Sequence, residues 1–239
     1  MRISISSLHK ELLDEIIKNS GQATKHTFLD SYLGNKNIRY AIGMPKLRIV
    51  GKDWFKRQTF TPKEFFQFVT SLIKAPSSTE KMMGGIFLDF GRKYLDEFDP
   101  KILDQWLNHL QGWAEVDTLC YGHFKADRVL ENWASWKKVV VKLNKSKNIN
   151  KRRASLVLLC KPLTRSDDKR LSGQTFQMID SLKHEKEVLI TKAISWTLRS
   201  MVKLHRGELK KYLDKNKSSL PAIALRETLT KLKTGKKNG

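Results

Sequence analysis

Apolar residues in this chain recur at helical spacing, and helix start signals stand in front of them. Thr61, Pro62 and Glu64 form a capping box with proline at the first helical position, Ser77 pairs with Glu80 in the same way, and Asp99 precedes Pro100. The pattern is helical rather than the alternation of strands. The prolines at 45, 62, 76, 100, 162 and 221 all fall where one helix could end or another begin. Val139 to Val141 is the one strand-like patch, and it sits inside a longer basic segment that also reads as helix. Expected helices run over 6–19, one or two within 25–57 broken near Gly43 and Pro45, then 61–74, 78–98, 100–111, 113–124, 127–144, 150–163, 167–182, 185–204, 206–215 and 221–233.

RRASLVLL, TKAISWTL and ALRETLTK each start a new helix, at a period of about 35 to 40 residues. That period suits stacked helix pairs of the HEAT class, in which each unit buries its apolar side against its neighbours. The expected fold is therefore all-α, with HEAT-like repeats forming a curved superhelix whose concave face collects a basic residue from each repeat. No low-complexity linker interrupts the chain, so one domain over 1–239 is expected, with a frayed tail from about 234.

Charge narrows the partner. Lys plus Arg number 46 against 24 Asp plus Glu, a formal net charge of +22, and a basic excess of that size points to a polyanion, nucleic acid first. No stretch approaches the roughly 18 to 20 apolar residues of a spanning helix. The N-terminal MRISISSLHKELLDE carries charges where a signal peptide needs an unbroken apolar core, so a cytoplasmic location is expected, nucleoid-associated in a bacterium. Cys120 and Cys160 read as buried thiols of a reducing compartment.

Candidate functional residues concentrate between 106 and 206. Trp113 and Asp117 stand four apart and share a helix face. Arg153 opens an apolar run. Lys192, Trp196, Arg199 and Lys203 follow at spacings of four, three and four, while Leu189, Ile190, Ala193, Ile194, Leu198 and Met201 take the other side. By themselves the two tryptophans fit core positions, Asp117 a surface carboxylate and the basic run a solvated face. Glu115, two residues from Asp117, points elsewhere on the helix. Cys120 with His123 has half the spacing of a zinc site but no second pair, so no metal is expected. Gly84 and Gly85 read as close helix packing, and Trp54, Trp106, Trp133 and Trp136 as core or interface.

Four stretches together are similar to the AlkD-type DNA alkylation repair glycosylases, a family of HEAT-like repeat proteins. GWAEVD resembles the family's aromatic stretch ending in Val-Asp, which puts Trp113 and Asp117 on its tryptophan and catalytic aspartate. RRASLVLLCK resembles the segment whose Arg-Ala opens a core helix, placing Arg153 on the active-site arginine and Lys161 on a DNA-contacting lysine. KAISWTLR matches the family's KAIGW-x-LR motif, with Trp196 as second active-site tryptophan and Arg199 as a phosphate contact. LPAIALRETLTKL resembles the closing repeat, YAIGMPKLR an N-terminal helix-turn pattern, and Tyr32 aligns with a DNA-contacting tyrosine. Where members commonly carry Trp-Trp-Asp before the Val-Asp pair, this chain has Gly112, Trp113 and Ala114.

The resemblance implies hydrolysis of the N-glycosidic bond of N3- or N7-alkylated purines in double-stranded DNA, leaving an abasic site, without flipping the lesion into a deep pocket. Such a base is already cationic and leaves neutral, so one carboxylate can suffice without a general acid. Asp117 would stabilise the sugar cation and orient water, Trp113 and Trp196 would attract the cationic nucleotide and sugar C–H groups, and Arg153 would hold a flanking phosphate. Lys192 and Lys203 join Lys161 and Arg199 as DNA-binding residues. No cofactor, membrane or partner subunit is implied, and a monomer is expected. The alternative is a non-catalytic HEAT-like protein that recognises damaged, bent or branched DNA by shape and charge. An RNA-binding repeat lacks the expected base code.

Overall fold

A computed structural model describes residues 4–24 and 34–237, and the fold is all-α apart from one two-residue ladder. Packing divides the chain into two compact units, Met1–Leu119 and Cys120–Gly239.

In the first unit, α1 (Ile5–Ser20) buries Leu8, Leu12 and Ile16, one stripe at four-residue spacing. A short antiparallel ladder pairs β1 (Ala23–Thr24) with β2 (Arg39–Tyr40). Of the one or two helices expected within 25–57, α2 (Met44–Lys56) forms with Pro45 in its first turn, while residues 25–33 lie outside the described residues. Residues 34–43 are not helical, because their backbone bonds instead to neighbouring segments, the Ile38 carbonyl accepting from the Ser78 N–H and the Tyr40 N–H donating to Thr79. α3 (Pro62–Ile73) starts on the Thr61–Glu64 capping box and α4 (Ser78–Phe90) on Ser77. The long helix expected over 78–98 breaks at Gly91 and continues as the 3-10 helix Arg92–Glu97. α5 (Ile102–Trp106) is shorter than expected, and α6 (Gly112–Cys120) follows. The core of this unit is aromatic: Trp54 stacks on Phe68 at 5.0 Å and meets Phe87 edge-on at 5.8 Å. The indole N–H groups of Trp54 and Trp106 donate to Glu11 and Thr70, so both rings are buried at no cost in unmet hydrogen bonds.

The second unit is a stack of helices: α7 (Ala126–Glu131), α8 (Trp133–Asn144), α9 (Ile149–Leu163), α10 (Lys169–Leu182), α11 (Val188–Met201), α12 (Arg206–Asn216) and α13 (Ala222–Thr234). The helix expected over 127–144 is split at Asn132, whose φ of −112° and ψ of 42° lie outside the helical range. Val139 to Val141 lie within α8 as helix. The three helices opened by the recurring sequence pattern pack in succession, α9 on α11 and α11 on α13. α9 is buried along its length from Arg153 to Cys160, because α8, α10 and α11 all pack against it.

Candidate DNA-contacting and catalytic residues

α6 starts where the chain turns through Gly112, whose φ of +71° lies in the left-handed region that a tryptophan adopts only under strain. Glycine at this position thus accompanies the turn that leads into Trp113. Within α6, Glu115, Val116 and Leu119 are buried while Trp113 and Asp117 are half-buried. The helix therefore directs its apolar positions inward and leaves this pair partly exposed.

Polar bonds add to this apolar burial. Glu115 is fully buried and accepts from the Gln111 backbone N–H at 2.8 Å and from the Asn37 amide at 3.0 Å. The first bond satisfies a donor at the helix start that has no intrahelical partner. Lys81, also buried, donates to the carbonyls of His109 at 2.7 Å and Ile73 at 3.1 Å. Burial holds its pKa below the ordinary lysine value against the opposing pull of Glu115 and Glu80. Gly85 lies against the α6 backbone so closely that a Cβ there would meet the Thr118 carbonyl oxygen at 2.5 Å, and one at Gly84 would meet Ile73 at 2.9 Å. Both glycines serve close helix packing, as their place inside a helical pattern suggested.

In the second unit, α11 presents the two sides expected of it. Ile190, Ala193, Ile194, Leu198 and Met201 are buried, Lys192 is exposed and Trp196 half-buried. Lys203 is exposed in the turn after the helix, and Tyr32 lies outside the described residues. Arg153 is 5% exposed, and its guanidinium donates to the Leu189 carbonyl at 2.6 Å, which ties α9 to the first turn of α11. Arg199 is partly buried: its Nε donates to the Ser195 hydroxyl at 3.2 Å and lies 3.3 Å from Glu227, which also receives the Ser195 hydroxyl at 2.5 Å and faces Lys237 at 3.3 Å. Burial works to raise the Glu227 pKa, but Ser195, Lys237 and Arg199 outweigh it and hold the carboxyl below the ordinary glutamate value. The Trp196 ring packs on Tyr121 at 4.7 Å between centroids, and the Lys161 ammonium sits 6.0 Å from the centre of the Tyr121 ring.

Cys120 and Cys160 are buried free thiols, Cys160 lying 3.4 Å from the Thr197 hydroxyl. Among the described residues no group of three or more His, Cys, Asp or Glu side chains could hold a metal ion, and no helix is long and apolar enough to cross a membrane.

A family model of DNA alkylation repair enzymes matches residues 13–232. The chain belongs to that family. It also shares the fold of a solved structure of a predicted DNA alkylation repair enzyme from Enterococcus faecalis, with a TM-score of 0.70 over 89% of this chain and 99% of that one at 17% sequence identity. No curated protein matches the sequence. Against the motifs that carry the resemblance, this alkylation repair family member shows three residues that sequence patterns did not single out. Tyr121 follows Asp117 by four positions but stands outside any helix, in a bend. Asn37 and Glu227 reach Glu115 and Arg199 from 78 and 28 residues away along the chain. No local spacing signals contacts of that separation.

Proposed function

We propose that this protein is a monofunctional DNA glycosylase that hydrolyses the N-glycosidic bond of N3- or N7-alkylated purines in duplex DNA. One observation carries the reading: a carboxylate, Asp117, stands four residues from Trp113 with both side chains partly exposed, in a chain of net charge +22 that belongs to an alkylation repair family. A carboxylate at a surface built for phosphate weakens plain binding, whereas it stabilises a sugar that becomes cationic in the transition state. In the proposed step the C1′–N bond breaks, the cationic purine leaves neutral with the bonding pair, and water adds to C1′. The water proton passes to solvent by way of Asp117, and an abasic site remains. Trp113 and Trp196 contribute ring faces to the cationic nucleotide. Arg153, Lys161, Arg199 and Tyr32, as the resemblance implies, and Lys192 and Lys203, from their helical spacing with Trp196 and Arg199, are proposed to serve the DNA backbone. The reaction needs one copy of the chain acting as one domain, no cofactor, and a cytoplasmic setting.

The non-catalytic alternative draws on Gly112 and Ala114, which stand where the family commonly has Trp and Asp. One assay separates the two. Duplexes carrying N7-methylguanine or N3-methyladenine are incubated with the wild type and with Asp117→Asn, and free base and abasic sites are measured. Release that the variant loses by about a hundredfold or more, some 2.7 kcal/mol of barrier, is expected. No release beside tight binding of the same duplex replaces the glycosylase with the shape-reading protein.

A further inference from the structure

Tyr121 takes no part in the motifs above, yet it is a large aromatic residue left 37% exposed in a non-helical bend. One neighbour is Trp196, tilted at 48° with centroids 4.7 Å apart, and another is the Lys161 ammonium, 6.0 Å from the ring centre. Among the described residues the Tyr121 hydroxyl, the Trp196 indole N–H and the Lys161 ammonium have no hydrogen-bond or ion-pair partner. The contrast within the molecule is direct. The indoles of Trp54 and Trp106 are bonded to Glu11 and Thr70, and the Tyr212 hydroxyl donates to Asp180 at 2.8 Å while its ring stacks on Phe176. Tyr121 and its neighbours thus gather two ring surfaces, two neutral donors and a cation with their hydrogen-bonding capacity open.

We infer that Tyr121 is a further DNA-contacting residue, its ring lying against a backbone deoxyribose beside Trp196 and its hydroxyl donating to the adjoining phosphate beside Lys161. The chemistry suits a sugar–phosphate unit: C–H groups favour aromatic faces, and a phosphate oxygen accepts O–H, N–H and ammonium donors together. A phenol is well adapted to this task only if it stays neutral. An ordinary tyrosine is already neutral at physiological pH, and burial, with the Cys160 thiol beside it, raises the Tyr121 pKa further against the opposing pull of Arg165.

The inference rests on the reading that DNA lies against Trp196, but its test needs no base release. A labelled short undamaged duplex is titrated with wild type, Tyr121→Phe, Tyr121→Ala and Lys161→Ala at several salt concentrations, with helicity and melting temperature checked for each. Tyr121→Phe keeps the ring and should weaken binding about fivefold to tenfold through the lost hydrogen bond to a charged acceptor. Tyr121→Ala should weaken it further. Neither should change the slope of log affinity against log salt, because tyrosine neutralises no phosphate, whereas Lys161→Ala should lower that slope by about one. A Tyr121→Phe variant within about twofold of wild type removes the hydroxyl contact, and the same result for Tyr121→Ala overturns the proposal entirely. A packing role on Trp196 alone would be rescued by phenylalanine. If the wild type releases no alkylated base yet the Tyr121 variants lose affinity, the glycosylase reading falls and this contact stands; normal release with unchanged binding gives the reverse.

Discussion

The helices that carry the two candidate tryptophans are held by different forces. α6, with Trp113 and Asp117, has nine residues, begins at a left-handed glycine and adds to its buried Val116 and Leu119 hydrogen bonds to one buried carboxylate, Glu115, and the close approach of Gly85. α11, with Trp196, has fourteen residues and is fixed by apolar burial between α9 and α13. The first arrangement is specific in direction but depends on a few partners, while the second spreads its stability over many contacts and tolerates the loss of any one polar tie. A short helix presenting a carboxylate is thus oriented by directional bonds. A long helix presenting an aromatic and basic face needs only a well-packed opposite side.

The comparison breaks most visibly by removing apolar volume from α11. Leu198 is fully buried, and Leu198→Ala should cost about 3 kcal/mol in chemical unfolding through lost burial and a residual cavity. Hydrogen-exchange protection should fall in α9, α11 and α13 and hold over 44–119. Uniform loss across the chain would show that the two units do not keep separate stabilities.

Glu115→Ala tests the other half. It strips the acceptor from Gln111 and Asn37 and removes one of the two carboxylates that act on the Lys81 charge, leaving Glu80, and about 2 kcal/mol of stability should go with it. Base release should fall more than duplex affinity, since Asp117 loses its orientation while the basic surface is unchanged. Glu115→Gln should recover only part of the loss, because its amide N–H group would face one of the two donors. Equal stability of Glu115→Ala and wild type would mean that the apolar residues of α6 suffice to hold it.

The smallest effect is expected at Glu227, a carboxylate at the margin of α11 rather than beneath it. Glu227→Gln releases Arg199 and removes a negative charge, so duplex affinity should rise about threefold and the salt slope should steepen by about one. The sign of its pH dependence follows from its lowered pKa. The ionised carboxyl stabilises the fold above the ordinary value of 4.5, and that contribution disappears as pH falls through the lower folded value. The stability gap between wild type and Glu227→Gln should therefore be present at neutral pH and close in acid. A variant that binds DNA no better, with its salt slope unchanged, would show that Arg199 does not reach phosphate even when released.

Much of this is legible in the sequence alone. The capping boxes at Thr61 and Ser77, the two sides of α11, the buried thiols and the close packing at Gly84 and Gly85 all follow from spacing and residue type. The shorter elements were less legible. The non-helical stretch 34–43, the 3-10 helix at Arg92–Glu97 and the break at Asn132 arise where the backbone takes its partners elsewhere or leaves helical geometry, and apolar periodicity does not register that.

The sequence by itself determined the class of the fold, the order of its helices, their apolar sides and the family to which the chain belongs, because each depends on residues near one another along the chain. Tertiary structure alone decided that Glu115 is the buried anchor of α6, that Arg153 bonds to the Leu189 carbonyl, that Glu227 engages Arg199 and that Tyr121 leans on Trp196. The physical reason is that helical periodicity records which side of an element avoids water. It carries no information on which distant donor, charge or ring will meet that side once the helices have packed.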